Sequence, residues 1–144
     1  MNYKASLIIS IYDNVEFLKS VLDSLKYQTE RNFEIIISED AEHEYVRDFI
    51  FKYDFQHDFQ HITQKDEGWQ KNKALNNAIR IARSEWLIFI DGDCVLHPRF
   101  VEFHVKFASP EFILAGKRVK LSEKLSRLLL NIMVMVASSR LVSH

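Results

Sequence analysis

Short apolar runs alternate along the chain with segments whose apolar residues recur at helical spacing. Ala5–Ile11 (ASLIISI) is short, apolar and β-branched, and reads as a buried strand. Tyr12-Asp13-Asn14 breaks the run, with Asp13 or Asn14 placed to cap a following helix. In that helix Phe17, Leu18, Val21, Leu22 and Leu25 share one face, and Glu16, Lys19, Asp23 and Lys26 the other. Phe33–Ser38 is a second buried strand, running into Glu39-Asp40. Tyr45–Phe55 predicts a helix and His61–Gln64 a third strand. Trp69–Arg83 predicts a helix with Leu75, Ala78, Ile79 and Ala82 on its inner face. Trp86–Ile90 is the fourth strand, and it runs straight into Asp91-Gly92-Asp93. Strands alternating with helices imply parallel crossovers, hence an α/β fold with helices on both faces of a parallel sheet.

After Asp93 the pattern changes. His97-Pro98 opens a helix with Pro98 near its first position, and Phe100, Val101, His104, Val105 and Ala108 give its face. Phe112–Gly116 reads as a strand, and Leu121–Val136 as a longer apolar helix interrupted by Arg127 and Asn131. The tetrapeptide DFQH occurs twice in tandem, at 54–57 and 58–61, without a longer repeat.

With 144 residues, 47% of them hydrophobic, the chain has material for one core and too little for two ordinary domains. A formal net charge of −1 gives no footing for nucleic-acid binding. Cys94 is the single cysteine, which rules out an intrachain disulfide and suits a reducing compartment. The start has no small-residue cleavage pattern, so no signal peptide is read. No apolar run reaches the ~20 residues that span a bilayer.

Three strands end in acid: Tyr12-Asp13, Glu39-Asp40 and Asp91-Gly92-Asp93. In an open parallel sheet, ligands sit beyond the carboxyl ends of the strands, so these clusters converge on one crevice. Asp91 and Asp93 suit a hard divalent ion, Mg²⁺ or Mn²⁺, whose open positions take substrate phosphates. Gly92 between them permits a tight turn and close approach of a ligand. A solvent-facing turn is the alternative on spacing alone. Asp40 is placed either to accept hydrogen bonds from a base or ribose or, with Glu39, to cap the next helix. Lys71 and Lys73, just inside a helix, offer positive charge to a diphosphate, and a solvated face is the alternative. Trp69 is either a binding-wall aromatic or core. His57 and His61 have the spacing of a helical metal pair, though no third ligand accompanies them. His97 reads as a helix-entry residue, with approach to a metal at the neighbouring acids as the alternative, and Cys94 as a packed side chain.

The segments SLIISIYDNVEFLKSVLDSLKYQTERNFEIIISED and DEGWQKNKALNNAIRIARSEWLIFIDGDCVLHPRFVEFH resemble the N-terminal half of family 2 glycosyltransferases, of GT-A fold, and cover most of residues 5–104. The resemblance implies a Rossmann-like, mostly parallel sheet. It implies metal-dependent, inverting transfer from a nucleotide-diphosphate sugar, UDP-sugar favoured, to a hydroxyl of a glycan or lipid-linked acceptor in polysaccharide synthesis. By position, Ile11, Tyr12 and Asp13 would line the nucleotide site and Asp40 would match the acid near the base. Asp91, Gly92 and Asp93 would match the DxD motif that holds Mn²⁺ or Mg²⁺ and the diphosphate, and Lys71 and Lys73 fall, more loosely, where basic contacts lie. Ser10-Ile11-Tyr12-Asp13-Asn14 departs from the family's usual Pro-Thr-Tyr-Asn, and Glu39-Asp40-Ala41 from Asp-Asp-Gly-Ser.

On this basis residues 1–110 are expected to form the donor-binding domain and 111–144 to begin an acceptor-side half, incomplete at the C-terminus. After Asp93 the only acids are Glu102, Glu111 and Glu123, none in an acidic pair like the family's catalytic base, so the base is expected to be missing. Two other readings stay open: a non-catalytic nucleotide-binding fragment, and a haloacid-dehalogenase-like phosphatase with Asp91 as nucleophile. The expected location is cytoplasmic, at the inner face of the membrane if Lys117, Arg118, Lys120, Lys124 and Arg127 make a peripheral contact. Apolar residues of 112–114 and 128–136 favour self-association.

Overall fold

Ala5–Ile11 forms β1, an inner strand of a four-stranded sheet in the computed structural model, which describes residues 2–129. The elements follow as α1 (Val15–Leu25), β2 (Phe33–Glu39), α2 (Glu44–Lys52), β3 (Phe59–Ile62), α3 (Lys71–Ile81), β4 (Leu87–Asp91) and α4 (Phe100–Lys106). The sheet order is β3-β2-β1-β4 and every pairing is parallel. Two compact units follow along the chain, Met1–Pro110 and Glu111–His144, and the sheet belongs to the first.

The side-chain period of two in a strand divides β1 between two cores. Leu7, Ile9 and Ile11 point to a larger cluster with Leu18, Val21, Leu22 and Leu25 of α1, Val46 and Ile50 of α2, and Val101 of α4. Ile8 points the other way, with Ile36 and Ala78 of α3. Helices therefore cover both faces. Each fully buried Leu or Ile contributes roughly 1.5–3 kcal/mol of transfer free energy, so the β1–β2 centre anchors the unit.

Several element ends differ from the expected ones, for reasons lying far away in sequence. The second helix stops at Lys52, because Tyr53 turns extended (ψ 136°) and its hydroxyl donates to Asp23 Oδ1 at 2.7 Å. β3 begins at Phe59 and ends at Ile62, set by its ladder with β2 from Ile35↔Phe59 to Ser38↔Ile62. α3 starts at Lys71, because Gly68 adopts φ +87° and the Gln70 amide is held by Asp40. Ala74 and Ala78 are its buried residues, and Ile79 is 40% exposed rather than inward. Small side chains at those positions let the helix approach the sheet. Pro98 and Arg99 form a turn ahead of α4, and the Pro98 carbonyl accepts from Thr29 N at 2.9 Å.

In the second unit, 112–116 is not a strand: no described strand pairs with it, and its residues are exposed. Residues 123–129 are helical, capped by Ser122 Oγ, which accepts from Leu125 N at 3.3 Å. The remainder of the helix expected over Leu121–Val136, and the apolar stretch 130–136, lie outside the described residues. Among the described residues no helix is long and apolar enough to cross a membrane.

Candidate functional site

Strand register brings the three acidic ends together. Ser10 sits opposite Asp91 and Ile11 opposite Glu39, so β1, β2 and β4 finish side by side. Beyond them opens a cleft of about 560 Å³, lined by Ser10, Ile11, Tyr12, Asp13, Asn14, Phe17, Asp40, Gly68, Trp69, Lys71, Asp91, Gly92 and Asp93. Of the predicted site residues, only Lys73 is not among its lining. Its ammonium lies 4.0 Å from Glu67 instead. Residues two apart on a helix do not share a face, so Lys71 and Lys73 diverge.

Gly92 is required by space. A Cβ there would stand 2.5 Å from Ile11 Cγ2 and 3.0 Å from the Ser10 carbonyl oxygen, to which Gly92 N already donates at 2.8 Å. The turn is thus pressed against the end of β1, and it aims Asp91 and Asp93 at the cleft. Ligand atoms of Asp91, Asp93 and Cys94 all lie within 4.8 Å of one another. Cys94 Sγ donates to Asp93 Oδ1 at 3.5 Å. Lys71 Nζ is 2.5 Å from Asp91 Oδ1, so one positive charge already rests on this group. Two converging carboxylates on a tight turn fit a hard divalent cation; the thiol is the softer donor of the three.

Asp40 is 5% exposed, and each of its carboxylate oxygens accepts one hydrogen bond. Its Oδ1 accepts from Gln64 Nε2 at 2.7 Å and its Oδ2 from Gln70 N at 2.8 Å. Asp40 N donates to the Ile11 carbonyl at 2.9 Å, tying β2 to β1 at the cleft floor. Asp40 therefore pins both ends of the 64–70 loop rather than capping α2. Within that loop Asp66 accepts from Gly68 N at 3.2 Å and from Tyr12 Oη at 2.8 Å. The Tyr12 hydrogen bond draws the Asp66 carboxyl down, and the Asp66 carboxylate raises the Tyr12 hydroxyl. Trp69, at the loop's end, is 80% exposed on the cleft wall and is no part of the core.

Glu39 points away from the cleft and is fully buried. It accepts from His43 N at 2.8 Å, lies 3.1 Å from His43 Nδ1 and 2.8 Å from His61 Nε2. Burial pushes its carboxyl up, but the His61 and His43 hydrogen bonds outweigh burial and leave it below the ordinary value. His43 packs edge-on to the Tyr12 ring at 5.3 Å, so this cluster, with only Glu39 fully buried, supports the cleft from below. Neither the Glu39–His43–His61 cluster nor the Gln64 and Gln70 bonds to Asp40 were visible in the sequence. The nearest signal was an acid pair at a strand end followed by Ala41-Glu42-His43.

The histidine spacing at 57 and 61 does not make a metal pair. His57 stacks on Phe33 at 4.1 Å, and burial lowers its ring to about 4. His61 serves Glu39 from a strand rather than a helix. His97 has its helix-entry role: its carbonyl accepts from Gln28 Nε2 at 2.8 Å and its Nδ1 from Arg99 N at 3.1 Å. Glu102 is held by Arg99 and Thr29, whose hydrogen bonds bring it down to about 2, and Glu123 pairs with Arg127 at 2.6 Å.

Comparison with known proteins agrees with this geometry. The family model described as Glycosyl transferase family 2 matches residues 6–131. The Bacillus subtilis (strain 168) protein EpsH is 31% identical over 110 residues, which are 74% of this chain and 30% of EpsH. Residues 1–349 of S. aureus TarS, solved in complex with UDP-GlcNAc, superpose with a TM-score of 0.64 at 20% identity, over 72% of this chain and 30% of that one. The mannosyltransferase PcManGT of Pyrobaculum calidifontis, in complex with GDP-Man and Mn²⁺, gives 0.59 at 21% identity, over 76% and 34%. This chain thus spans less than a third of the length of EpsH, and the two structures establish the fold, GT-A. The match is to a transferase family and not to a phosphatase family. With its parallel sheet, its acidic cleft and the family match over residues 6–131, the chain belongs to glycosyl transferase family 2.

Proposed function

We propose that residues 1–110 bind the nucleotide-sugar donor of a metal-dependent, inverting glycosyl transfer. The observation that carries this reading is the meeting of Asp13, Asp40, Asp91, Asp93 and Lys71 in one cleft at the ends of three parallel strands. Ile11, Tyr12, Asp13 and Asp40 take the nucleoside. Asp40 retains acceptor capacity on a rigid frame, because each oxygen has a second lone pair beyond the bond it accepts. Asp91 and Asp93 hold Mn²⁺ or Mg²⁺, and Gly92 lets the diphosphate approach the backbone. Lys71 faces the same phosphates. When bound, the cation supplies charge stabilisation to the departing nucleoside diphosphate. The cleft carboxylates serve the leaving group, and the general base that takes the acceptor proton is not one of them. Glu102 and Glu123, each already ion-paired, are poorly suited to that role. The acceptor is a glycan or lipid-linked hydroxyl, met by the acceptor-side half that begins in 111–144.

UDP is the favoured nucleotide, supported by the UDP-GlcNAc complex of TarS; GDP is the competitor, since PcManGT was solved with GDP-Man. Calorimetric titration of UDP and GDP with and without Mn²⁺ tests the reading. UDP affinity is expected to fall at least about tenfold when the cation is chelated, a typical coupling. Asp93→Ala is expected to abolish that cation dependence, and Asp91→Ala to weaken UDP binding. Unchanged cation dependence in both variants would refute the assignment.

A further inference from the structure

We propose that Lys71 is the resident counter-ion of Asp91 and couples cation binding to diphosphate binding, an inference that rests on the reading of Asp91 and Asp93 above. Lys71 Nζ lies 2.5 Å from Asp91 Oδ1, with the two side chains 33% and 41% exposed. The ammonium therefore occupies one of the carboxylate faces that a divalent cation would use. Its backbone is in no position to retreat. Lys71 is the first residue of α3, and Gln70 before it is held by Asp40 through its amide (2.8 Å) and by Gln64 through its carbonyl (3.2 Å).

Local helix physics disfavours this placement. Lys71 stands at the positive end of the α3 dipole, and the first turn of α3 has no acid to balance it. Asp91 balances it across the cleft. A divalent cation arriving alone must share Asp91 with this ammonium. At the dielectric of water, charges of +2 and +1 about 5 Å apart repel by enough to lower affinity about tenfold. When a diphosphate is present, Lys71 has a second anionic partner and the repulsion is relieved. Cation and diphosphate then each raise the other's affinity, as linkage requires, and Lys71 sets the size of the effect.

The test is a titration of Mn²⁺ followed by the electron paramagnetic resonance of the free ion, with and without UDP. It compares the wild-type chain, Lys71→Met and Lys73→Met. Lys71→Met is expected to bind Mn²⁺ alone about tenfold more tightly, and the factor by which UDP tightens Mn²⁺ is expected to shrink by a similar amount. Lys73→Met loses the same charge from the same helix, but its ammonium sits 4.0 Å from Glu67, so it is expected to titrate as wild type. Unchanged or weaker Mn²⁺ binding in Lys71→Met would overturn the proposal. So would an equal gain in Lys73→Met, which would make net charge the cause. Lys71→Gln, which keeps a polar end, carries the same expectation and serves if circular dichroism shows Lys71→Met misfolded. Asp91→Ala and Asp93→Ala separate the two readings. If neither alters wild-type Mn²⁺ binding, the cation site itself is wrong; if both weaken it and Lys71→Met gains nothing, the coupling alone is wrong.

Discussion

Gly92 shows how much chemistry can depend on a missing side chain. Its Cβ position lies 2.5 Å from Ile11 Cγ2 and 3.0 Å from the Ser10 carbonyl oxygen. Gly92→Ala must move either the end of β1 or the turn that carries Asp91 and Asp93. Overpacking of this kind costs about 1–3 kcal/mol. Cation affinity should fall with it, because both carboxylates share the displaced turn. Gly68→Ala is the contrast. Gly68 has φ +87° with nothing within 4 Å of its Cβ position, so the cost is the left-handed backbone alone, about 1–2 kcal/mol. It lies outside the Asp91–Asp93 turn and should lower Mn²⁺ affinity less than Gly92→Ala does. Urea unfolding and Mn²⁺ titration of the two variants check this, and Gly92→Ala with wild-type Mn²⁺ affinity would disprove the close-packing account. The D-G-D spacing left the cleft acids and a solvent-facing turn as alternatives, and the structure places all three residues on the cleft lining. The two bonds that fix Asp40 were not legible: Gln64 and Gln70 have no pattern that separates them from loop polar residues.

At the scale of elements, α1 illustrates a cap that sequence narrowed to two neighbours. Asn14 is the N-cap, with Oδ1 accepting from Phe17 N at 2.9 Å, while Asp13 lines the cleft. Asn14→Ala should therefore cost about 1 kcal/mol of stability, and Asp13→Ala much less. Equal losses in thermal unfolding would show that the two residues share the cap. β1, α1, β2 and β4 matched their predicted spans closely, because each has an apolar pattern strong enough to define itself. The ends of α2, β3 and α3 were not legible. Tyr53 bonding to Asp23, the β2–β3 ladder and Asp40 holding Gln70 are all contacts between distant residues. On α3 periodicity placed Leu75, Ala78 and Ala82 on the sheet side, where they pack, but chose Ile79 where Ala74 is the buried residue. In the second unit 112–116 had strand composition and no described partner, which is why composition misled there.

For the molecule as a whole, two fully buried glutamates on β2 tie stability to acid. Glu34 accepts from Ser6 Oγ at 2.6 Å, Gln60 Nε2 at 3.2 Å, Arg83 N at 2.6 Å and Arg83 Nε at 2.7 Å. Glu39 has His61 and His43. Burial pushes both carboxyls up, yet the hydrogen bonds and nearby charge outweigh it and leave each below the ordinary 4.5. A depressed native value means that the unfolded chain takes up protons first as pH falls. The stabilisation from these groups is fully present above about pH 5 and drains away as pH drops through 4.5 toward the lowered native values. Urea unfolding across pH 3–7 should therefore show a plateau and then a falling acid limb. Glu39→Gln removes a carboxylate from a buried, charge-assisted cluster and should cost about 2–4 kcal/mol at neutral pH. In return its acid limb should be shallower, since one proton-linked group is gone. Glu34→Gln should behave alike and leave Arg83 short of a partner. If both variants kept the wild-type slope below pH 4.5, the acid sensitivity would belong to surface carboxylates and not to the centre of the sheet. Because Glu39 lies directly before Asp40 and opposite Ile11, the sheet centre and the cleft floor are one structure, and acid should loosen them together.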